Sequence, residues 1–514
     1  MHCFLGIDAG TSGIKAIVMS EAGQILGMGY RECNVITPRP GWFEEDPLDW
    51  WEACRGAVAE AVFKSGYGKE IRGIGFSGQM QGSTLLDKDG ELVDRCIIWM
   101  DQRAFAQADR LNAMMDPKEI LDEAANYCLP SFWAPKLLWL KENKPDIFER
   151  TSKVLYTKDY LRYRMTGEIA TEVSDASCSF LLDMKNRCWS EKLFAVTGLP
   201  RDIVPERLLE SQDIAGYLKA DLAEEWGMTP GIPVVAGGGD QPAGGVGTGV
   251  VRTGIIAATI GTSGVIFGCC DKPFIDEQHR AMYSQCHSVP GKYSFLGCTL
   301  GAGGSYKWMR DTFFSAQKEA FEKEGKEIYE YMDSLAKGVA PGSEGLIFLP
   351  YLNGESTPHV DPDARGVFFG LSMRHGLGAM CRSVMEGVTY SLRDTLEILR
   401  SFGLSITEVR AMGGGAKSPL WRQMQADIFN ASVLTMNIEE GPAAGAAIMA
   451  AVGAGYFKSI EEACDIIVKP KSVTEPIAAN VAIYDEFYQT YRSLYPSLKQ
   501  DFADQAKRVL KTIR

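Results

Sequence analysis

The tetrapeptide Gly-Thr-Ser-Gly stands at residues 10–13 and again at 261–264, each time between apolar runs rich in strand-forming residues. The first copy is entered by Phe4-Leu5-Gly6-Ile7-Asp8-Ala9 and left by Ile14-Lys15-Ala16-Ile17-Val18. The second is entered by Ile255-Ile256-Ala257-Ala258-Thr259-Ile260 and left by Val265-Ile266-Phe267. Both read as strand, tight loop, strand. About 250 residues separate them, roughly half the chain, which marks one architectural unit used twice. Two such hairpins facing each other can grip the phosphates of a nucleotide from both sides. The copies differ by one charge, since Asp8 aligns with Thr259.

With 514 residues the chain exceeds a single core and suits two large domains. Its 54 glycines fit an α/β enzyme whose backbone approaches ligands closely. A net charge of −13 argues against nucleic acid or an anionic membrane as partner, because both select basic surfaces. ATP stays compatible, since backbone amides and a lysine or two can hold it. Thirteen cysteines without a Cys-x-x-Cys pair read as small buried hydrophobes in a reducing cytoplasm. Met1-His2-Cys3-Phe4 runs straight into the first strand, so no signal peptide is expected. The most apolar windows, 254–270 and 442–457, are shorter than a membrane span.

Residues 1–30 read as three strands. A helix over 50–64 precedes a strand over 71–77 that ends in Gly78-Gln79-Met80-Gln81-Gly82. An apolar run over 97–100 ends in Asp101-Gln102-Arg103, and helices follow over 104–114, 135–142 and 158–166. A buried strand over 232–236 flows into Gly237-Gly238-Gly239-Asp240-Gln241. The expected division is an N-terminal domain 1–250, a C-terminal domain 251–456 and a charged helical extension 457–514. The C-terminal domain repeats the plan, with strands over 345–349, 367–371 and 409–412 and helices over 380–399 and 443–454.

Asp8 closes a strand beside the amides of Gly10, Thr11 and Ser12, with Lys15 just beyond. A carboxylate there can hold hydrated Mg²⁺ against phosphates, or it can close an ordinary Asx-type hairpin turn. The second copy favours phosphate binding. Three glycines before Asp240 clear a path to the backbone and deliver one carboxylate, suited to take a proton from a hydroxyl. The same residue is also suited to cap a helix. Gly414, Gly415 and Ser418 lie in a turn that can seat a flat ring such as adenine, or serve structure alone. Gln79, Met80, Gln81, Trp99, Asp101 and Arg103 fall at the ends of neighbouring strands, where open α/β sheets bind ligands. Amides, carboxylates and an indole suit a polyol, although an internal polar network uses the same residues. The histidines at 2, 279, 287, 359 and 375 are scattered and have no metal spacing.

Together these segments carry a resemblance. GIDAGTSGIK, EEDPLDWWEA, GQMQGSTLLD, IWMDQR, APKLLWL, KDYLRYRMTGE, VVAGGGDQPAGGVGTG, IGTSG, FLPYLNGESTPH, GVFFGLS, MGGGAKSPLWRQMQADI and GPAAGAAIMA occur in order over about residues 4–455. The chain resembles the FGGY carbohydrate kinases, most closely their xylulokinase branch. The resemblance implies an α/β fold of two actin-like, ribonuclease-H-type domains around a cleft, with sugar mainly on the N-terminal domain and ATP mainly on the C-terminal one. By position Asp240 matches the catalytic base and contacts sugar and Mg²⁺ together with Asp8. Gly261, Thr262 and Gly303 match the phosphate side, and Gly414, Gly415 and Ser418 the adenine side. The implied reaction moves the γ-phosphoryl of ATP to a terminal hydroxyl, O5 of a pentulose, in a closed cleft that excludes water.

The departures fall where the sugar is read. Xylulokinases usually carry histidine at the place of Gln81, often asparagine at Met100, and commonly asparagine at Gln241. A small hydroxyl residue is usual where Trp133 stands, and its bulk is expected to shrink or flatten the pocket. Ribulose, L-xylulose, erythritol or gluconate are therefore alternative substrates to D-xylulose. A non-enzymatic actin-like ATP-binding switch is a further reading, opposed by the polar cluster around Gln81 and Asp101 with Asp240, and a sugar sensor with little turnover is another, opposed by intact Asp8 and Asp240. A homodimer is compatible with the sequence, but no heptad compels it.

Overall fold

The computed structural model describes residues 1–277 and 281–512, so His279 lies outside it. Strand β1 (Cys3–Gly10) is buried on both faces for most of its length, as a central strand must be. On one side it pairs antiparallel with β2 (Gly13–Ser20), which pairs in turn with β3 (Ile25–Glu32). On its other side β4 (Ile71–Gly78) runs parallel. The sheet ends in an antiparallel edge strand β5 (Ile214–Tyr217), held by β6 (Pro233–Val235), which is parallel to β4. The short β7 (Gly238–Gly239) also pairs with β4.

The second sheet repeats this core. Strands β8 (Ile255–Ile260), β9 (Gly264–Cys270), β10 (Met282–Cys286), β11 (Tyr293–Thr299), β12 (Glu408–Gly413), β13 (Ser432–Met436) and β14 (Pro470–Thr474) lie in the order β10–β11–β9–β8–β12–β13–β14. Here too the first strand has an antiparallel hairpin partner on one side and a parallel strand on the other.

Helix α1 (Pro47–Ser65) covers the first hairpin strands. Asp46 caps it by accepting from the Leu48 amide, and Gly66 ends it in the left-handed region at φ 70°. The other helices that position the site are α2 (Trp133–Asn143), α3 (Asp240–Gly247), α4 (Gly303–Phe313), α5 (Leu377–Ser401), α6 (Pro419–Phe429), α7 (Gly441–Gly453) and α8 (Ala478–Thr512).

The two halves exchange a helix. Helix α7 follows the strands of the second sheet yet packs on β1 and β4 of the first, and α3 crosses it. The sequence of α7, Gly-Pro-Ala-Ala-Gly-Ala-Ala, permits contact at backbone distance. A Cβ on Gly6 would run into the carbonyl of Ala443, and one on Gly445 into that of Ala243. The strands divide cleanly between Gly239 and Ile255, but the packing does not divide at residue 250.

The segment 457–514 is more than a helical extension. Its residues 470–474 form β14, the edge of the second sheet, paired antiparallel with β13. Helix α8 presents Tyr484, Tyr488, Tyr491 and Tyr495 on one face, at the i, i+4, i+7, i+11 spacing of a helix stripe. All four are buried. Their hydroxyls meet Glu386 at 3.0 Å, Asp394 at 2.6 Å, Tyr351 at 2.9 Å and Asp361 at 2.7 Å. A stripe of tyrosines with polar partners docks α8 along α5 without an apolar heptad.

Candidate active site

Strand register assembles the carboxylates. Asp8 of β1 stands opposite Ser77 of β4, and Ser77 stands opposite Gly238 of β7. One step on, Ala9, Gly78 and Gly239 align in the same way. The chain leaves these strand ends as Gln79 from β4 and Asp240 from β7. Asp8 and Asp240 thus project from one sheet edge with a single strand between them.

Both carboxyls hold their protons more tightly than usual. Burial pushes the Asp8 carboxyl up to about 6, against the pull of the Ser77 hydroxyl and Lys15. Burial, and after it the charge of Asp8, pushes Asp240 up to about 7. The Ser77 hydroxyl donates to Asp8 Oδ1 at 3.0 Å. Asp240 does not cap its helix. Gly239 occupies the cap position, and Asp240 is the first helical residue. At the helix start the Asp240 carboxylate is hydrogen-bonded by the backbone and the side chain of the next residue, Gln241.

The loop after β4 lies against this pair. Gly239 is where Met80 rests, since an added Cβ would meet three Met80 side-chain atoms at 2.7 Å. Gln79 is buried and donates to Glu45 Oε2 at 2.7 Å while accepting from the Thr11 hydroxyl at 2.9 Å. Trp99, 46% exposed, donates its Nε1–H to the same hydroxyl at 3.0 Å. Gln81 is held in the left-handed region at φ 70°, which a non-glycine residue rarely adopts. Gln241 and Met100 are half-buried.

Several sequence-predicted residues have protein partners of their own. Thr11, expected among phosphate ligands, is tied into the chain Glu45–Gln79–Thr11–Trp99 on the side of the β4 loop. Ser12 gives its carbonyl to the Tyr30 hydroxyl and the Cys33 amide. Lys15 forms an ion pair with Glu440, the residue before α7, and so joins the two halves. Asp101 and Arg103 close on each other. Both Asp101 oxygens are taken by Arg103 and the Phe43 amide, and the guanidinium lies 4.0 Å from the centre of the Trp42 ring. They brace the site from inside. Trp133 is fully buried, stacks on Tyr156 at 3.8 Å and donates to the Gly82 carbonyl at 2.7 Å. Its bulk supports the β4 loop from behind.

The second Gly-Thr-Ser-Gly copy lines a cavity of about 700 Å³ with Gly261 and Thr262, together with Gly303, Gly304, Gly414, Gly415 and Ser418. The Thr262 carbonyl accepts from the amides of Ala302 and Gly304 at 3.2 and 2.9 Å, so the loop sits on the start of α4. The first copy does not line this cavity. Tyr306, Lys307 and Asp333 also line it, and no motif marks them in the sequence. The Tyr306 hydroxyl donates to Asp333 at 3.0 Å. Glu45, in the segment EEDPLDWWEA, is fully buried and raised by burial to about 7.

A duplicated sheet with exchanged helices, one half ending in paired carboxylates and the other opening a glycine-walled cavity, defines a pair of actin-like ATPase domains. Residues 3–247 match the N-terminal domain of the FGGY family of carbohydrate kinases, and residues 256–454 match its C-terminal domain. The chain is 37% identical over 503 residues to the xylulose kinase of Staphylococcus epidermidis, covering 97% of this chain and 98% of that protein. The same identity and coverage hold for the xylulose kinase of Bacillus subtilis. The crystal structure of xylulose kinase from Rhodospirillum rubrum superposes with a TM-score of 0.89 at 27% identity, covering 98% of this chain and 100% of that one. The chain belongs to the FGGY family of carbohydrate kinases. It is a sugar kinase that uses ATP.

Proposed function

We propose that this kinase transfers the γ-phosphoryl group of ATP to O5 of D-xylulose, giving D-xylulose 5-phosphate and ADP. The observation that carries the reading is the placement of Asp240 beside the β4 loop, one strand away from Asp8, joined to full-length similarity with proteins named xylulose kinase. In this reading the sugar lies on the N-terminal side, against Gln79, Met80, Gln81, Trp99 and Gln241. ATP lies on the C-terminal side, its phosphates toward Gly261, Thr262 and Gly303 and its adenine toward Gly414, Gly415 and Ser418. The Asp240 carboxylate accepts the proton of the attacking hydroxyl as its oxygen bonds to the γ-phosphorus and the bond to ADP breaks. Burial holds that carboxylate basic enough for the task.

Asp8 and Asp240 also fit Mg²⁺. A carboxylate whose proton affinity is raised by the charge of a neighbouring one favours a cation, and no cluster of three or more metal-ligating side chains occurs among the described residues. That scarcity suits an ion that keeps its waters and shares phosphate oxygens. When bound, Mg²⁺ neutralises charge on the phosphates. The thirteen free cysteines, most of them buried, agree with a cytoplasmic enzyme. No helix among the described residues is long and apolar enough to cross a membrane.

A second reading, a different polyol such as ribulose, L-xylulose, erythritol or gluconate, is favoured by Gln81 in the β4 loop and Gln241 beside Asp240. A coupled ADP-release assay across ketopentoses, tetritols, hexuloses and sugar acids decides. Turnover with D-xylulose above the rest supports the first reading, and preference for another polyol replaces it with the second.

A further inference from the structure

Lys136 is fully buried, and among the described residues no carboxylate stands within ion-pairing distance of it. Its ammonium donates instead to two backbone carbonyls, Gln81 O at 2.8 Å and Ile97 O at 3.0 Å. Trp133 lies three residues earlier on α2, so both side chains leave one face of the helix. Its indole N–H takes the next carbonyl of the same loop, Gly82 O, at 2.7 Å. The residue whose carbonyl Lys136 holds is Gln81, the one with φ 70°. That conformation is disfavoured for a non-glycine residue and persists only where its surroundings impose it.

We infer that Lys136 and Trp133 form a two-pronged clamp on the carbonyls of Gln81 and Gly82, and that Lys136 is a positioning residue for sugar recognition. The inference rests on the reading of Gln79-Met80-Gln81 as the sugar loop. Unclamped, Gln81 relaxes to an ordinary conformation and turns its side chain away from its present partner, Cys178. Met80, one residue back, loses its seat on Gly239 beside Asp240. The clamp also titrates. Burial lowers the Lys136 ammonium to about 7; Cys96, Asp101 and Cys178 favour its charge and Arg103 opposes it. Charge-assisted hydrogen bonds are the stronger ones, so the grip on Gln81 weakens as pH rises through 7.

The test compares wild type with Lys136→Met, which keeps the stem and removes the donors, and Trp133→Phe, which keeps the stack on Tyr156 and removes one donor. In Lys136→Met the KM for sugar rises about tenfold while the KM for ATP stays within about twofold. Trp133→Phe shifts the same way by about threefold. The rise of the wild-type sugar KM between pH 7 and 8.5 is absent from Lys136→Met. Independently of turnover, hydrogen exchange quickens at residues 78–83 in both variants and stays unchanged at 261–264. Both KM values rising together, or unaltered exchange at 78–83, overturns the clamp. A wild-type protein that phosphorylates no polyol refutes the kinase substrate reading, and the exchange data then decide the clamp alone. If Lys136→Met does not fold, Trp133→Phe carries the exchange test.

Discussion

The same four residues close two hairpins differently. In the first copy Gly10 pairs with Gly13, leaving a two-residue loop of Thr11 and Ser12, and Asp8 faces Lys15. In the second copy Ile260 pairs with Gly264, so the loop is three residues long and Thr259 faces Val265. One residue of slip moves side chains to opposite faces of a strand, so identical tetrapeptides need not present the same atoms. The first loop is stitched to its own domain through Gln79, Trp99 and Tyr30. The second is seated on the start of α4 and opens onto the cavity. Duplication supplied the frame, and the strand end before each loop and the contacts behind it assign the work.

The largest expected effects test the charge that separates the copies. Asp240→Asn removes the proton acceptor and lowers kcat by about 10²–10⁴-fold, with ATP affinity by calorimetry near that of the parent. Asp8→Asn is expected to lower kcat by about 10²-fold and to raise the Mg²⁺ concentration for half-maximal rate. Thr259→Val, at the aligned position, changes kcat less than about twofold. Equal damage at Asp8 and Thr259 would erase the distinction. Next come the glycines. A Cβ on Gly303 runs into the carbonyl of Gly261, whereas one on Gly10 finds its nearest neighbour at 3.5 Å. Gly303→Ala should raise the KM for ATP about tenfold or more and leave that for sugar alone; Gly10→Ala should do neither. A tolerant Gly303 would mean that the second loop has more room than its packing shows.

The sequence makes the hairpins plain because a central strand is apolar on both faces and a glycine turn interrupts it. It also shows α1 by its period over 50–64, and the structure starts that helix a turn earlier, at Pro47 after the Asp46 cap. It hides β14, whose Pro470-Lys471-Ser472-Val473-Thr474 lies on an edge with mostly exposed side chains and no apolar alternation. At the site, carboxylates and glycines at strand ends can be read from pattern, because position along the strand sets where they emerge. Which of two polar residues faces inward cannot. Asp101 and Arg103 have the composition of a binding pair but satisfy each other, and Lys136 sits in an apolar run whose helical period gives no hint of the carbonyls it reaches. For Trp133 the sequence gives size and not direction.

A smaller pair of changes crosses the two sides. Thr11→Val cuts the hydroxyl out of the Glu45–Gln79–Thr11–Trp99 chain and is expected to raise the KM for sugar about threefold without moving that for ATP. Thr262→Val should do the reverse. If both variants shift the ATP value alone, the first loop serves phosphate after all and its bonds to Gln79 and Trp99 are incidental.

The smallest effect compares what stands behind each hairpin. Glu45 receives Trp50 Nε1–H at 2.6 Å and Gln79 Nε2–H at 2.7 Å, both on Oε2, while its buried Oε1 has no partner. Glu355 serves the second hairpin through Thr299, which lies opposite Gly264, and both of its oxygens are used, by the hydroxyls of Thr299 and Ser391 and the amides of Leu300 and Ser356. Burial raises each from 4.5 to about 7. Between those values the native state holds a proton that the unfolded chain has released, so each group lowers stability as pH rises through that window, and the loss is complete above 7. Glu45→Gln removes that penalty of at most about 3 kcal/mol and places its amide where no partner is lost. Its melting temperature relative to wild type should therefore climb by a few degrees from pH 5 to pH 8. Glu355→Gln escapes the same penalty but turns an NH₂ group toward donors that a carboxylate accepted. It should start well below wild type at pH 5 and recover only part of the deficit at pH 8. Parallel curves for the two variants would mean that the carboxylates behind the hairpins are equivalent, and that the asymmetry ends at the loops themselves.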